Sequence, residues 1–159
     1  MPNDMSPILE QQEFSLTNFL EGKTQAWGIF EDRFGKVKLR FAVEMNGSWS
    51  GDTFILLEDF DYDDGRKEKR EWHVKPGENG YFTATCDDCI GQAVGQTDNN
   101  EIQMRYRFRL KLKKRTLDVD FLDRLIKVDE QRVVNRAIMS KWGIKLGELS
   151  LFFEKVSDS

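Results

Sequence analysis

From Lys23 to the C-terminus, apolar and polar residues alternate in short runs separated by clusters of turn-forming residues. Such alternation is the signature of half-buried β-strands, one face packed and one wet. The turn clusters are DRFG at 32–35, NGSWSGD at 46–52, DYDDG at 61–65, PGENG at 76–80, TDNN at 97–100, KKRT at 113–116 and DEQR at 129–132. Their spacing predicts about ten strands, as in an all-β sandwich or barrel. Ahead of them, FSLTNFLEG predicts one short helix, with Ser15 as N-cap, Phe14 and Phe19 at hydrophobic-staple spacing and Gly22 beyond its C-terminus. Residues 1–12 are polar and predict a flexible arm, leaving 13–159 as one domain.

Two hairpins can be registered from the residues alone. If Asp63, Asp64 and Gly65 form a three-residue loop with Gly65 left-handed, Phe60 falls opposite Glu68, Glu58 opposite Arg70 and Leu56 opposite Trp72. If KKRT is a four-residue loop, Leu112 meets Leu117, Leu110 meets Val119 and Phe108 meets Phe121, while Lys111 meets Asp118 and Arg109 meets Asp120 on the other face. Ten such strands with tight connections predict an antiparallel up-and-down β-barrel, closed by pairing GELSLFFEK with AWGIF near the start.

Composition narrows the function classes. The 159 residues carry a net charge of −4 and a pI near 5.2, which argues against a general nucleic-acid or anionic-membrane partner and confines any basic surface to a local patch. No run approaches the length of a membrane-spanning helix. The N-terminal residues lack the pattern of a secretory signal, and with one C-x-x-C among two cysteines they predict a cytoplasmic protein.

The chemical candidates are few. Cys86-Asp87-Asp88-Cys89 has no second ligand pair for zinc, and its aspartates would raise rather than lower a thiol pKa, so neither metal nor redox chemistry is assigned. His73, the only histidine, alternates away from Trp72 and therefore points outward. The acidic run Glu58, Asp59, Asp61, Asp63, Asp64 lacks calcium-loop spacing and reads as a solvated turn. Arg105, Arg107, Arg109 and Lys111 form a stripe whose intervening aromatics face the other way and whose charge Asp118 and Asp120 partly neutralise, against nucleic-acid binding. Glu58 and Arg70 stand out. They fall on an apolar, aromatic face where burying charge is costly, either as a structural tie or as the polar anchor of a ligand pocket. Trp72, Tyr106 and Asn135 are candidates to line the same space.

With these residues assembled, the chain resembles a bacterial family known as domain of unknown function 3833. The matching segments are FLEGKTQAWGIFEDRFG (19–35), LEDFDYDDG (57–65), REWHV (70–74), DDCIGQAVG (87–95), RYRFRL (105–110) and NRAIMSKWGIKLGELSLFFEK (135–155). The resemblance implies a lipocalin-like fold and brings no reaction, cofactor or catalytic residue. It commonly places alanine and valine where Cys86 and Cys89 stand, so the C-x-x-C reads as incidental. Where family members tend towards Asp-Asp-Trp around 122–124, this chain keeps Asp123 but has Leu122 and Arg124. Many members carry a lipoprotein signal; this chain resembles the shorter form. Family genes are associated with lipid-modifying functions such as cyclopropane fatty-acid synthesis, which points toward acyl chains.

The expectation is therefore a non-catalytic lipocalin-like barrel that binds a small apolar or amphipathic ligand such as a fatty acyl lipid. Arg70 would face its carboxylate, and Glu58 would hold Arg70 when the ligand is absent. One alternative is a lipid-modifying enzyme or accessory with Glu58 as general base and Tyr106 as acid. Another is a packed barrel serving as a protein-interaction scaffold. Oligomeric state is not legible in the sequence.

Overall fold

In the computed structural model, which describes residues 14–157, the chain opens with the short helix α1 (Leu16–Leu20). Ser15 caps it: the hydroxyl accepts a hydrogen bond from the Asn18 N–H at 3.3 Å. The staple forms as expected, with the rings of Phe14 and Phe19 edge to face at 6.2 Å. Gly22 then turns the chain into the first strand with a φ of 84°, a conformation glycine adopts without steric cost. The arm expected over 1–12 lies outside the described residues.

Ten strands follow: β1 (Gly22–Asp32), β2 (Val37–Ser50), β3 (Thr53–Tyr62), β4 (Lys67–Pro76), β5 (Tyr81–Thr85), β6 (Cys89–Asp98), β7 (Glu101–Lys111), β8 (Thr116–Lys127), β9 (Arg132–Lys141) and β10 (Ile144–Lys155). Each pairs antiparallel with its sequence neighbours, and β1 pairs with β10, so the sheet closes into the expected barrel without a free edge. The seam is the anticipated one, with Trp27 opposite Phe152 and Phe30 opposite Leu149.

The β3–β4 hairpin has the register read from its turn. Tyr62 N–H donates to the Arg66 carbonyl at 3.0 Å, Gly65 is left-handed at a φ of 92°, and Glu58 stands opposite Arg70. The β7–β8 hairpin departs from the expected register by two residues. Only Lys113 and Lys114 form the loop, so Leu110 meets Leu117, Phe108 meets Val119 and Tyr106 meets Phe121. A slip of two preserves which face each side chain occupies, so alternation cannot distinguish the registers; the tighter reversal puts Arg109 opposite Asp118 and Arg107 opposite Asp120, at 2.9 and 3.2 Å.

A second correction concerns 46–52. Here β2 continues through Gly47 to Ser50, and only Gly51 and Asp52 reverse the chain. Gly47 serves close approach rather than turning: a Cβ there would run into the Leu20 carbonyl oxygen and the Phe54 ring. That contact seats α1 across one end of the barrel. Phe14, Phe19 and Leu20 are buried there, the Phe14 N–H donates to the Asn99 carbonyl at 2.9 Å, and Lys155 Nζ donates to the Phe19 carbonyl. This plugged pole also gathers the connections after β2, β4, β6 and β8. Connections after β1, β3, β5, β7 and β9 gather at the opposite pole.

Candidate functional site

The barrel is not packed solid. A cavity of about 480 Å³ runs through it, bounded at the plugged pole by Leu16 and Leu20 of α1 and reaching Leu39, Arg66 and Leu112 at the other. Its walls are mostly apolar because β2, β3 and β4 turn Val43, Met45, Leu56, Phe60 and Val74 inward by strand alternation. All five residues singled out in the sequence, Glu58, Arg70, Trp72, Tyr106 and Asn135, line it.

The side chains combine differently from the expectation. Glu58 and Arg70 are cross-strand neighbours but make no ion pair. Glu58 Oε1 instead accepts the Trp72 indole N–H at 3.1 Å. Arg70 extends toward the open pole, where its guanidinium lies between the rings of Phe60 and Phe108, 4.8 and 4.7 Å from their centroids. Its ionic partner is Glu68, at 3.6 Å, which also accepts the Tyr62 hydroxyl at 2.7 Å. The Arg70 Nε–H is buried and has no hydrogen-bond partner. A guanidinium flanked by two aromatic faces keeps its charge but gains no hydrogen bonds from them. Glu68 is the carboxylate within ion-pair distance, while the charge of Glu58 acts on Arg70 without direct contact.

Deeper in the cavity, Tyr106 spans between walls. Its ring meets Trp72 edge to face at 5.4 Å and stacks on Phe121 at 5.3 Å, and its hydroxyl donates to Asp123, with both carboxylate oxygens at 3.3 to 3.4 Å. Asp123 is the residue that the sequence reading left out. It sits on β8 between the inward-facing Phe121 and Leu125, an acid on an apolar face, which is the same signal that singled out Glu58. Asn135, also on the cavity wall, donates its Nδ2–H to the Arg124 carbonyl at 3.0 Å.

Enclosure sets the protonation of this belt. Burial raises Glu58 to about 7 against the opposing pull of Arg70 and the Trp72 hydrogen bond. Burial likewise raises Asp123 to about 7, with the Tyr106 hydrogen bond opposing and the Glu58 charge adding to the rise. The Tyr106 hydroxyl is held well above its ordinary range by burial and by the charge of Asp123. In the middle of the cavity, then, the Arg70 guanidinium stands near two enclosed acids whose pKa values burial has raised toward neutrality.

Of the other sequence candidates, His73, Cys86 and Cys89 lie outside the cavity, while Arg109 and Lys111 of the basic stripe reach its open end. His73 is half exposed and bonded to Glu71 at 2.6 Å, while on β7 Arg107 is paired with Asp120, Arg109 with Asp118 and Lys111 with Asp88 at 3.3 Å. Cys86 and Cys89 are free thiols at the β5–β6 turn, and burial pushes Cys86 up to about 12, far from a reactive thiolate.

Residues 6–155 match the model of the family described as "Protein of unknown function (DUF3833)", the family that the sequence motifs resemble. No curated protein sequence matches the chain. Among solved structures, the S-type phycobiliprotein lyase CPES from Guillardia theta has a similar fold, with a TM-score of 0.68 at 6% identity over 98% of this chain and 99% of that one. A protein of unknown function from the DUF3598 family of Nostoc punctiforme is also similar, with a TM-score of 0.61 at 9% identity, covering 91% of this chain and 51% of that one. At such identities the likeness is one of fold.

Proposed function

The chain belongs to the DUF3833 family, which brings no reaction with it, and we propose from its cavity that it is a non-catalytic carrier of a small amphipathic anion such as a fatty acid. The observation that carries this reading is Arg70: a buried guanidinium with an unsatisfied N–H on the wall of an apolar cavity that reaches one pole. An unpaired buried donor is costly, and a carboxylate arriving along the apolar wall would pair with the exposed part of the guanidinium, a small turn of the side chain bringing the Nε–H to it. The apolar remainder of such a ligand would lie against Val43, Met45, Leu56 and Val74, in a volume within the usual range for ligand sites. Glu68 takes the part of resident counter-ion that the sequence had suggested for Glu58.

The test is calorimetric titration of dodecanoate into delipidated protein. Arg70→Ala is expected to weaken binding at least ~10-fold, the usual weight of a charge-assisted hydrogen bond, and Arg70→Lys to recover only part of it. Equal affinities for wild type and Arg70→Ala would overturn the assignment. A second reading, lipid chemistry at the acid belt, draws on the placement of Glu58 and Asp123 near the pH of their action. In that reading the pair would exchange the proton, since Tyr106 holds its own too tightly. Turnover of an acyl substrate that is lost in Glu58→Gln would favour it over the carrier.

A further inference from the structure

The open pole is not uniform around its circumference. Strand order places the β1–β2, β9–β10 and β7–β8 turns side by side as one arc, because β1 neighbours β10 and β9 neighbours β8. On this arc large apolar side chains stand out into solvent: Phe34 is 80% exposed, Trp142 85%, Ile144 57% and Leu112 44%. Two of them lie under cations, with Arg33 4.9 Å from the Phe34 ring and Lys141 4.7 Å from the Trp142 ring. Arg33, Lys36, Lys113, Lys114 and Arg115 occupy the same turns, are exposed, and make no ion pair with a carboxylate among the described residues. The other two turns of this pole are acidic, with Asp63 and Asp64 in one and Asp87 and Asp88 in the other. So a protein of net charge −4 gathers unpaired cations and projecting rings on one side of its cavity opening.

Four projecting apolar residues on separate turns make knobs rather than a groove. A groove would receive a peptide, whereas knobs flanked by lysine and arginine suit a surface that is soft, apolar just beneath and negative above. We propose that this arc docks the barrel peripherally on an anionic phospholipid bilayer. Trp142, Phe34, Ile144 and Leu112 enter the interface, and the five unpaired cations face lipid phosphates. Each basic group near such a surface adds to the attraction, and the acidic turns are repelled, so the barrel tilts with its basic lip down. The cavity reaches Leu39, Lys111 and Leu112 on this lip, which leaves an apolar path between bilayer and interior. Docking does not depend on what occupies the cavity.

The experiment is co-sedimentation of the full chain with vesicles of phosphatidylcholine, with and without phosphatidylglycerol, at low and high salt. Binding is expected to the anionic vesicles, falling with salt, and to weaken at least ~10-fold both in Phe34→Ser/Trp142→Ser and in Lys113→Glu/Lys114→Glu. Tyr81→Ser, at the opposite pole and 50% exposed, serves as the control and should bind as wild type. Arg70→Ala should also dock as wild type, so loss of ligand affinity and loss of docking are separable. Unchanged unfolding midpoints confirm that the variants are folded. The proposal is overturned by sedimentation indifferent to phosphatidylglycerol, by rim variants that bind like wild type, or by a rim that instead holds two copies of the chain together in ultracentrifugation.

Discussion

The two poles of the barrel are built on opposite physical terms. At the plugged pole Gly47, Phe54, Phe19 and Leu20 are in close contact, and α1 is held by a cap, a staple and the Lys155 ammonium. At the open pole, large side chains face solvent and Arg70 keeps an unsatisfied donor. One end carries packing energy and the other leaves interactions unmade. Stability and function should therefore separate by pole, with the acid belt between them belonging to both.

The largest expected effect lies in the plug. Phe54→Ala removes a fully buried ring that supports both β2 and α1, and urea unfolding should show a loss of about 3–5 kcal/mol. Gly47→Val should cost about 3 kcal/mol or more at the same site, because backbone rather than a flexible side chain stands in the way. A loss below 1 kcal/mol in both would break the contrast between the poles.

The belt comes next, through pH. Glu58 and Asp123 have folded-state values near 7, above their ordinary ones, so the folded protein binds more protons than the unfolded chain between about pH 4 and 7. Their contribution is full below the unfolded values, is lost as pH rises toward 7 and levels off above it. The unfolding free energy from urea titration should therefore fall between pH 5 and pH 8, by about 2–4 kcal/mol for the pair. The double variant Glu58→Gln/Asp123→Asn should remove most of that slope and gain stability at pH 8. A wild-type profile flat over this window would show that the two acids are not so enclosed.

The smallest effect on stability belongs to the rim. Phe34→Ser and Trp142→Ser take away rings that little protein touches, and each should leave the unfolding free energy within about 0.5 kcal/mol of wild type. The same variants carry the large change in vesicle binding, which sharpens the division between poles.

The legibility of the sequence followed a physical pattern. The β3–β4 register was readable because Gly65 names its own turn, a left-handed position that fixes the pairing. The β7–β8 register was not, since Lys113 and Lys114 carry no such preference and the two-residue slip leaves every face unchanged. Gly47 misled because glycine marks close approach as readily as a turn, and the partner it accommodates, Leu20, is distant in sequence. In the cavity, alternation brought Glu58, Arg70, Trp72 and Tyr106 to one space. It does not show that the Arg70 guanidinium contacts Glu68 and lies between rings from β3 and β7, because those contacts depend on side-chain conformation and on a strand distant in sequence. Asp123 is legible by the rule that singles out Glu58, an acid alternating with apolar residues on one strand face.

The closure of the sheet has one more consequence. Phe14 is bonded to Asn99, and the Val156 N–H donates at 3.0 Å to the Lys23 carbonyl, so the first and last described residues leave the barrel from the same pole. A short peptide joining them would make a covalent ring, and cutting that ring at Lys113–Lys114 would give a circular permutant with all ten strand pairings intact. For the same reason a fluorophore or bead attached at Ser157, the last described residue, would sit at the pole opposite the opening, leaving the lip free.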